Sequence, residues 1–234
     1  MAVILDISLF AFIIIFAFRS KKVRSLTHEL TDLCSVMFAS FASVKFSNFL
    51  ALSTYSLFFR EELINKLLPL TQKIYHMDGV STNLERVLRQ LPGFITNGSR
   101  WMVLHDETIP VWVDRYACHP AEQAAGEISD LIAGPVVEAV FYAVYLLLSF
   151  IMFNYIFKTI FSLLKADLKG IIEFEEPILC ACVGAVKGFI FSLVVLSVIK
   201  LTLPCFEVYQ TFDSWVGDTI FFRIMFNDNI LIYL

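Results

Sequence analysis

Four long stretches of mostly apolar residues alternate with polar segments along the chain. They cover about residues 2–18, 33–59, 135–157 and 177–203. A helix needs about 17–25 predominantly apolar residues to cross a bilayer. The pattern therefore predicts an all-α membrane protein with four transmembrane helices, the second of which carries many Ser, Thr and Ala residues and turns a polar face toward other helices.

The long connection between the second and third spans, residues 60–134, is too charged to cross the membrane. Two of its stretches, residues 62–75 and 82–91, have apolar residues at helical spacing. Trp101 and Trp112 stand beside polar groups, which suits aromatic side chains at a membrane interface. We predict that this connection is partly helical and associated with the membrane surface, and that it is not a separate soluble domain.

The last segment, residues 205–234, mixes aromatic, apolar and charged positions and is too interrupted by charge to span. It predicts a C-terminal interfacial helix, which either lies on the membrane surface or is re-entrant. The sequence thus divides into a first transmembrane hairpin (1–59), the connection (60–134), a second transmembrane hairpin (135–204) and the interfacial tail (205–234).

Basic residues cluster after the first span and after the third. Arg19, Lys21, Lys22 and Arg24 form the first cluster, and Lys158, Lys165 and Lys169 form the second. Loops that are rich in Lys and Arg remain in the cytoplasm. Both clusters predict the same orientation, with the connection 60–134 and both termini outside.

Composition supports a membrane protein and argues against a nucleic-acid partner. Hydrophobic residues make up 58% of the chain and charged residues 17%, whereas a soluble domain is about half apolar and a quarter charged. The net charge is −4, and phosphate backbones require clustered Lys and Arg over a whole face. The partners expected are the lipid bilayer, other membrane proteins, or further copies of this chain.

No pattern in the sequence indicates catalysis, a metal or a cofactor. His105, Asp106, Glu107 and His119 lie in the connection, but their spacing matches no set of metal ligands. Cys180 and Cys182 form a C-x-C pair without the further ligands that a closed site needs. We therefore expect a non-enzymatic protein without a metal or cofactor.

Small residues recur on one face of the fourth span. Cys180, Gly184 and Gly188 are four positions apart and stack along one side of the helix. Such a groove allows two helix backbones to approach closely within a membrane. We predict that it packs against the second span, where Ala39 and Ser43 belong to a matching small surface.

Three polar residues lie deep in the spans: Lys45 and Asn48 in the second, and Lys187 in the fourth. A lysine at the centre of a membrane helix costs about 2.5–3.5 kcal/mol unless it reaches water or a partner. A carboxylate, a backbone carbonyl or a lipid phosphate would serve as the partner of Lys187. Two interpretations stay open, a packing groove that tolerates one lysine and a polar pathway or lipid-headgroup site.

Several segments resemble the colicin V production protein (CvpA) family. They are the opening LDISLFAFIIIFAFRSKKVR, the third span IAGPVVEAVFYAVYLLLSFIMFNYIFKTI, the ending IFFRIMFNDNIL, and the motif Cys180-x-x-x-Gly184-x-x-Lys187-Gly188. The resemblance covers residues 3–60 and 125–232. The chain departs from it at Ala17, Lys21 and Cys180, where the family has glycines.

The resemblance implies a bacterial inner-membrane protein that takes part in colicin V production and envelope homeostasis as an accessory or scaffold factor. The family has no agreed biochemical activity, so the resemblance leaves the mechanism open. The alternative is a small channel or transporter built by several copies, with a polar route lined by the second and fourth spans at Lys45, Asn48 and Lys187.

Overall fold

The computed structural model describes residues 2–22, 25–74, 89, 91–105, 121–167, 176–206, 208–229 and 231, and these contain helices and no strand. The helices are α1 (Ala2–Lys21), α2 (Leu26–Thr54), α3 (Arg60–Ile74), α4 (Gly93–His105), α5 (Ala121–Ile128), α6 (Gly134–Asp167), α7 (Pro177–Thr202), α8 (Tyr209–Gly217) and α9 (Phe221–Asn227). The predicted all-α class is confirmed.

Within the described residues, four helical runs are long and apolar enough to cross a membrane. They are Val3–Lys21, Leu26–Gln72, Ala125–Leu164 and Pro177–Cys205. The protein is thus a multi-pass membrane protein, as the apolar pattern predicts.

Two of these runs extend well past the predicted spans. A π-helical turn, Tyr55–Phe59, joins α2 to α3, and a second one, Ser129–Ala133, joins α5 to α6. The charges that follow residue 59 mark the end of apolar sequence, but charged residues are good helix formers and do not end a helix. The helix boundary and the boundary of the apolar stretch are therefore different positions.

The connection 60–134 is partly helical, as predicted, because α3, α4 and α5 lie within it. Residues 75–88 and 106–120 are outside the described residues. They include Trp112 and the candidate metal ligands Asp106, Glu107 and His119. Trp101 and His105 lie in α4, and their side chains are also outside the described part.

The chain forms two compact units. Unit 2 consists of residues 49–142 and 201–209. Its core contains buried apolar residues between the π-helical turn Tyr55–Phe59 and α6, among them Leu63, Leu67, Ile95 and Ile132. At the two π-helical turns, the Tyr55 hydroxyl bonds to the Ser129 carbonyl at 3.1 Å, and the Arg60 guanidinium makes two hydrogen bonds to the Asp130 carboxylate, at 2.8 and 2.7 Å.

Unit 1 consists of residues 1–48, 143–200 and 210–234. It holds α1 and the larger parts of α2, α6 and α7, together with the tail helices. The α2 and α6 segments meet through aromatic pairs, such as Phe46–Phe153 with ring centroids 5.5 Å apart, and through a buried hydrogen bond of 2.9 Å between the hydroxyls of Ser47 and Ser149. Asn229 in the tail donates to the Leu193 carbonyl of α7 at 2.9 Å.

Candidate polar site in the helix bundle

The deep lysine of the fourth span forms a buried ion pair in unit 1. The Lys187 side chain in α7 is 9% exposed, and its Nζ donates to Oε2 of Glu29, whose side chain is 2% exposed. Glu29 lies in the first turn of α2. The partner of Lys187 is therefore a carboxylate, one of the three possibilities that the sequence leaves open.

Local sequence explains why Glu29 points into the bundle. Val36, Ser40 and Ser43 of α2 are buried, and they follow Glu29 at intervals of seven, four and three residues. These intervals keep all four side chains on one face of a helix. Because this face packs inward, the carboxylate at its end is carried inward as well.

Asp32 extends the ion pair toward α6. Its Oδ2 lies 3.9 Å from Lys187 Nζ, and its Oδ1 lies 3.3 Å from Lys158 Nζ in α6. His28 Nδ1 is 3.7 Å from the same carboxylate. Two carboxylates and two lysines thus alternate, and they connect α2, α6 and α7 at one end of unit 1.

Burial differs along this network, and the strength of each pair follows it. The Glu29–Lys187 pair is almost dry, so removal of one partner would leave the other as an uncompensated charge in a medium of low dielectric constant. The Lys158 side chain is 55% exposed, so its attraction to Asp32 is screened and weak. The buried Glu29–Lys187 pair therefore connects α2 to α7, and the Asp32–Lys158 pair lies where solvent reaches it.

A cavity of about 320 Å³ lies beside this network within unit 1. Its lining residues come from α1, α2, α6 and α7: Phe16, Arg19, Ser20, His28, Glu29, Asp32, Val36, Asn154, Lys158, Lys187 and Phe191. Arg19, His28 and Lys158 are exposed and form its rim, whereas Glu29 and Lys187 are buried and form its floor. The cavity is thus a polar recess with a charged floor and some apolar wall.

The glycine groove of α7 faces α1, so the prediction that it faces the second span is wrong. A Cβ built on Gly184 would lie 2.8 Å from the Phe16 carbonyl oxygen and would also meet Ser20. A Cβ on Gly188 would lie 3.0 Å from Phe16 Cβ and 3.1 Å from Ile13 Cα. The prediction assumed that small residues must pack against small residues. A groove of glycines can also receive a large side chain, and here that side chain is Phe16 of α1.

The remaining predicted packing residues are all buried. Cys180, Ala39 and Ser43 each have 0% exposure. Ser43 and Ala39 lie on α2, and the hydroxyl of Ser43 donates to the Ser40 carbonyl of its own helix at 2.9 Å. Ala39 and Ser43 line the inward side of α2, but α1 and not α2 packs against the glycines.

Lys45 and Asn48 do not join Lys187. Both are exposed on α2, three positions apart, and neither lines the cavity, whereas Lys187 is buried. The three polar residues proposed for one route therefore divide into an outer pair and an inner lysine.

Sequence reasoning missed Glu29 and Asp32 because both precede the apolar stretch that defined the second span. The inward stripe of α2, extended back from Ser43 and Ser40 through Val36, would have reached Glu29. A buried lysine requires an anion, and Glu29 is the carboxylate at the end of that stripe.

Among the described residues, no group of three or more His, Cys, Asp or Glu side chains could hold a metal ion. Comparison of the chain with protein-family models, with curated proteins and with solved structures gives no match.

Proposed function

We propose that this chain is a non-enzymatic scaffold or accessory protein of the bacterial inner membrane, acting in toxin production and export and in envelope homeostasis, as the CvpA resemblance implies. The buried ion pair between Lys187 and Glu29 is the observation that carries the proposal. It neutralises the lysine of the CvpA-like motif inside the bundle and ties α7 to α2. The lysine then has a structural role, which suits a protein that presents a fixed surface to partners.

The orientation belongs to the same proposal. The loop that joins α1 to α2 and the end of α6 carry the basic clusters, so they face the cytoplasm. The charge network and the cavity then lie at the cytoplasmic end of unit 1, and the segment from α3 to α5 lies on the outer side.

Complementation tests the role in toxin production directly. A colicin V-producing strain that lacks its own CvpA protein would receive this chain on a plasmid, and toxin release would be measured by the killing of a sensitive lawn. We expect release to be restored by the parent chain and by Glu62→Ala, which removes an exposed ion pair with Lys66. Loss of the buried pair by Glu29→Ala should reduce release. Membrane-inserted parent protein that restores nothing would refute the proposed role.

A channel or transporter of several copies is the second candidate, and Lys45 and Asn48 favour it. Both are exposed within a membrane-spanning helix, where a charge on a lipid-facing surface is costly. Packing of α2 against a second copy would cover them. Asn48→Cys in a background without the native cysteines should then form a cross-linked dimer in membranes, whereas Glu122→Cys on α5 should not. If the protein is monomeric in mild detergent and Asn48→Cys forms no cross-linked dimer, this candidate is excluded.

A further inference from the structure

The cavity in unit 1 carries an excess of positive charge. Arg19, Lys158 and Lys187 line it together with Glu29 and Asp32, so its formal charge is +1 with His28 neutral. Lys187 is paired with Glu29, and Lys158 contacts Asp32. Arg19 has no acidic partner among the described residues. The lining therefore holds one guanidinium whose charge no carboxylate of the described residues balances.

The two cations at the rim remain able to bind a further group. Arg19 is exposed, and a guanidinium presents a fork of donors that matches two oxygens of a phosphate. The Lys158 ammonium group has three N–H donors. Its Nζ lies 3.3 Å from Asp32, and its side chain is more than half exposed, so donors remain for a further group. A small anion at the rim would receive hydrogen bonds from α1 and α6 together.

Neutral donors and apolar walls complete the recess. Ser20 and Asn154 add a hydroxyl and an amide, and Phe16, Val36 and Phe191 provide apolar surface. The volume of about 320 Å³ is at the small end of the range for ligand pockets, about 300–1,000 Å³. A phosphate with a short organic substituent matches this size and this mixture of surfaces.

We propose that this cavity binds the phosphate group of an organic phosphate, with Arg19 and Lys158 as its ligands and the Glu29–Lys187 pair as its fixed floor. One negative charge would bring the lining to neutrality. Two sources supply this chemistry, the phosphodiester of an anionic phospholipid and a soluble phosphate ester. The site is independent of the proposed role in toxin production and would exist in a scaffold or in a transporter.

Thermal unfolding of the full chain in an uncharged detergent tests the proposal. Three additives are compared over a concentration series: short-chain phosphatidylglycerol, phosphatidylcholine of the same chain length, and glycerol 3-phosphate. A ligand that binds only the folded state raises the melting temperature, and above its Kd the stabilisation grows with the logarithm of the ligand concentration. We expect phosphatidylglycerol, glycerol 3-phosphate or both to raise the melting temperature, and phosphatidylcholine to leave it nearly unchanged.

Charge-matched variants locate the effect. Arg19→Gln with Lys158→Gln removes both ligands. Lys21→Gln with Lys22→Gln removes two exposed basic residues that follow the lining residues Arg19 and Ser20 in the sequence and do not line the cavity. We expect the first pair to weaken the apparent affinity at least tenfold and the second pair to change it less than twofold. Arg19→Gln alone breaks no ion pair of the described residues, so its unliganded melting temperature should equal that of the parent while its affinity falls several-fold.

The three additives also separate the two sources. Stabilisation by phosphatidylglycerol alone identifies a lipid headgroup, and stabilisation by glycerol 3-phosphate alone identifies a soluble phosphate ester. Stabilisation by both shows that the site recognises the phosphate group in either compound. The proposal is overturned if phosphatidylcholine stabilises as strongly as phosphatidylglycerol, if neither phosphate compound stabilises the parent, or if the two charge-matched pairs respond alike.

Discussion

Lys187 and Glu29 are separated by 158 positions in the sequence, yet they form one buried ion pair between α7 and α2. We expect Glu29→Ala to lower the free energy of unfolding by about 3 kcal/mol, because it leaves Lys187 charged, buried and without its main partner. The value stays at the low end of the usual range because Asp32 lies 3.9 Å away. Reversible unfolding in mixed detergent micelles measures it.

The controls for this prediction separate charge from packing. Replacement of both partners, Glu29→Leu with Lys187→Met, should be near neutral, since two apolar side chains remove the need for compensation. Glu62→Ala removes a pair in which both side chains are more than half exposed and should cost less than about 1 kcal/mol. A Glu29→Ala variant as stable as Glu62→Ala would contradict the role of the buried pair.

The fold class was predictable because hydrophobic length decides it. The four spans in the structure match the apolar stretches near residues 2–18, 33–59, 135–157 and 177–203, and the connection is partly helical as expected. The helix ends were not predictable in this way. Residues 26–32 and 60–74 are polar enough to lie outside an apolar stretch, yet they continue the helix, because backbone hydrogen bonding does not require apolar side chains.

The candidate site was predictable only from one side. A lysine within an apolar helix needs a polar or charged partner, so the sequence identified Lys187 as a site residue. The identity of the partner depends on which helix faces α7 and at what height, and this is a property of long-range packing. The same limit explains the mistaken partner of Gly184 and Gly188, since small residues show where a backbone approaches but not which helix arrives.

Gly184 should tolerate no larger residue. In Gly184→Ala the new methyl group would meet Ser20 and the Phe16 carbonyl, and the backbone atom cannot move without shifting α1. We expect a loss of about 1–3 kcal/mol from overpacking, measured as thermal stability in detergent. Gly126→Ala is the matched control, because nothing lies within 4 Å of its Cβ position. Equal melting temperatures of the two variants would show that α1 does not pack in this groove.

Tyr55 connects the two π-helical turns of unit 2. Its hydroxyl lies 3.1 Å from the Ser129 carbonyl and 3.2 Å from Asp130 Oδ1, so Tyr55→Phe should cost about 1 kcal/mol for the lost hydrogen bonds. Tyr155→Phe, at a side chain that is 75% exposed, should cost nearly nothing. Thermal melts of both variants provide the comparison, and a Tyr55→Phe protein that melts with the parent would exclude a stabilising role.

The proposed orientation predicts which positions a membrane-impermeant maleimide labels in intact cells. In a chain without its native cysteines, Glu122→Cys on α5 should react from outside and Lys22→Cys should react only after the membrane is opened. Both side chains are exposed, so accessibility within the protein does not bias the result. The reverse pattern would invert the topology and move the cavity to the outer face.

Asp6 of α1 holds the beginning of α9. Its carboxylate accepts hydrogen bonds from the backbone N–H groups of Phe222 at 2.8 Å and Ile220 at 3.2 Å, and Ile220 itself gives no side-chain cap. A carboxylate that satisfies these donors stabilises a helix start by about 1 kcal/mol. In Asp6→Ala we therefore expect amide hydrogens of residues 221–227 to exchange about five times faster, because 1 kcal/mol corresponds to about that factor in a local opening equilibrium.

Asp213→Ala, which removes an exposed carboxylate from the neighbouring α8, should leave the exchange of these amide hydrogens unchanged. Unaltered exchange in Asp6→Ala would mean that aromatic packing, such as Phe10 against Phe221 with ring centroids 4.9 Å apart, holds the tail without the carboxylate.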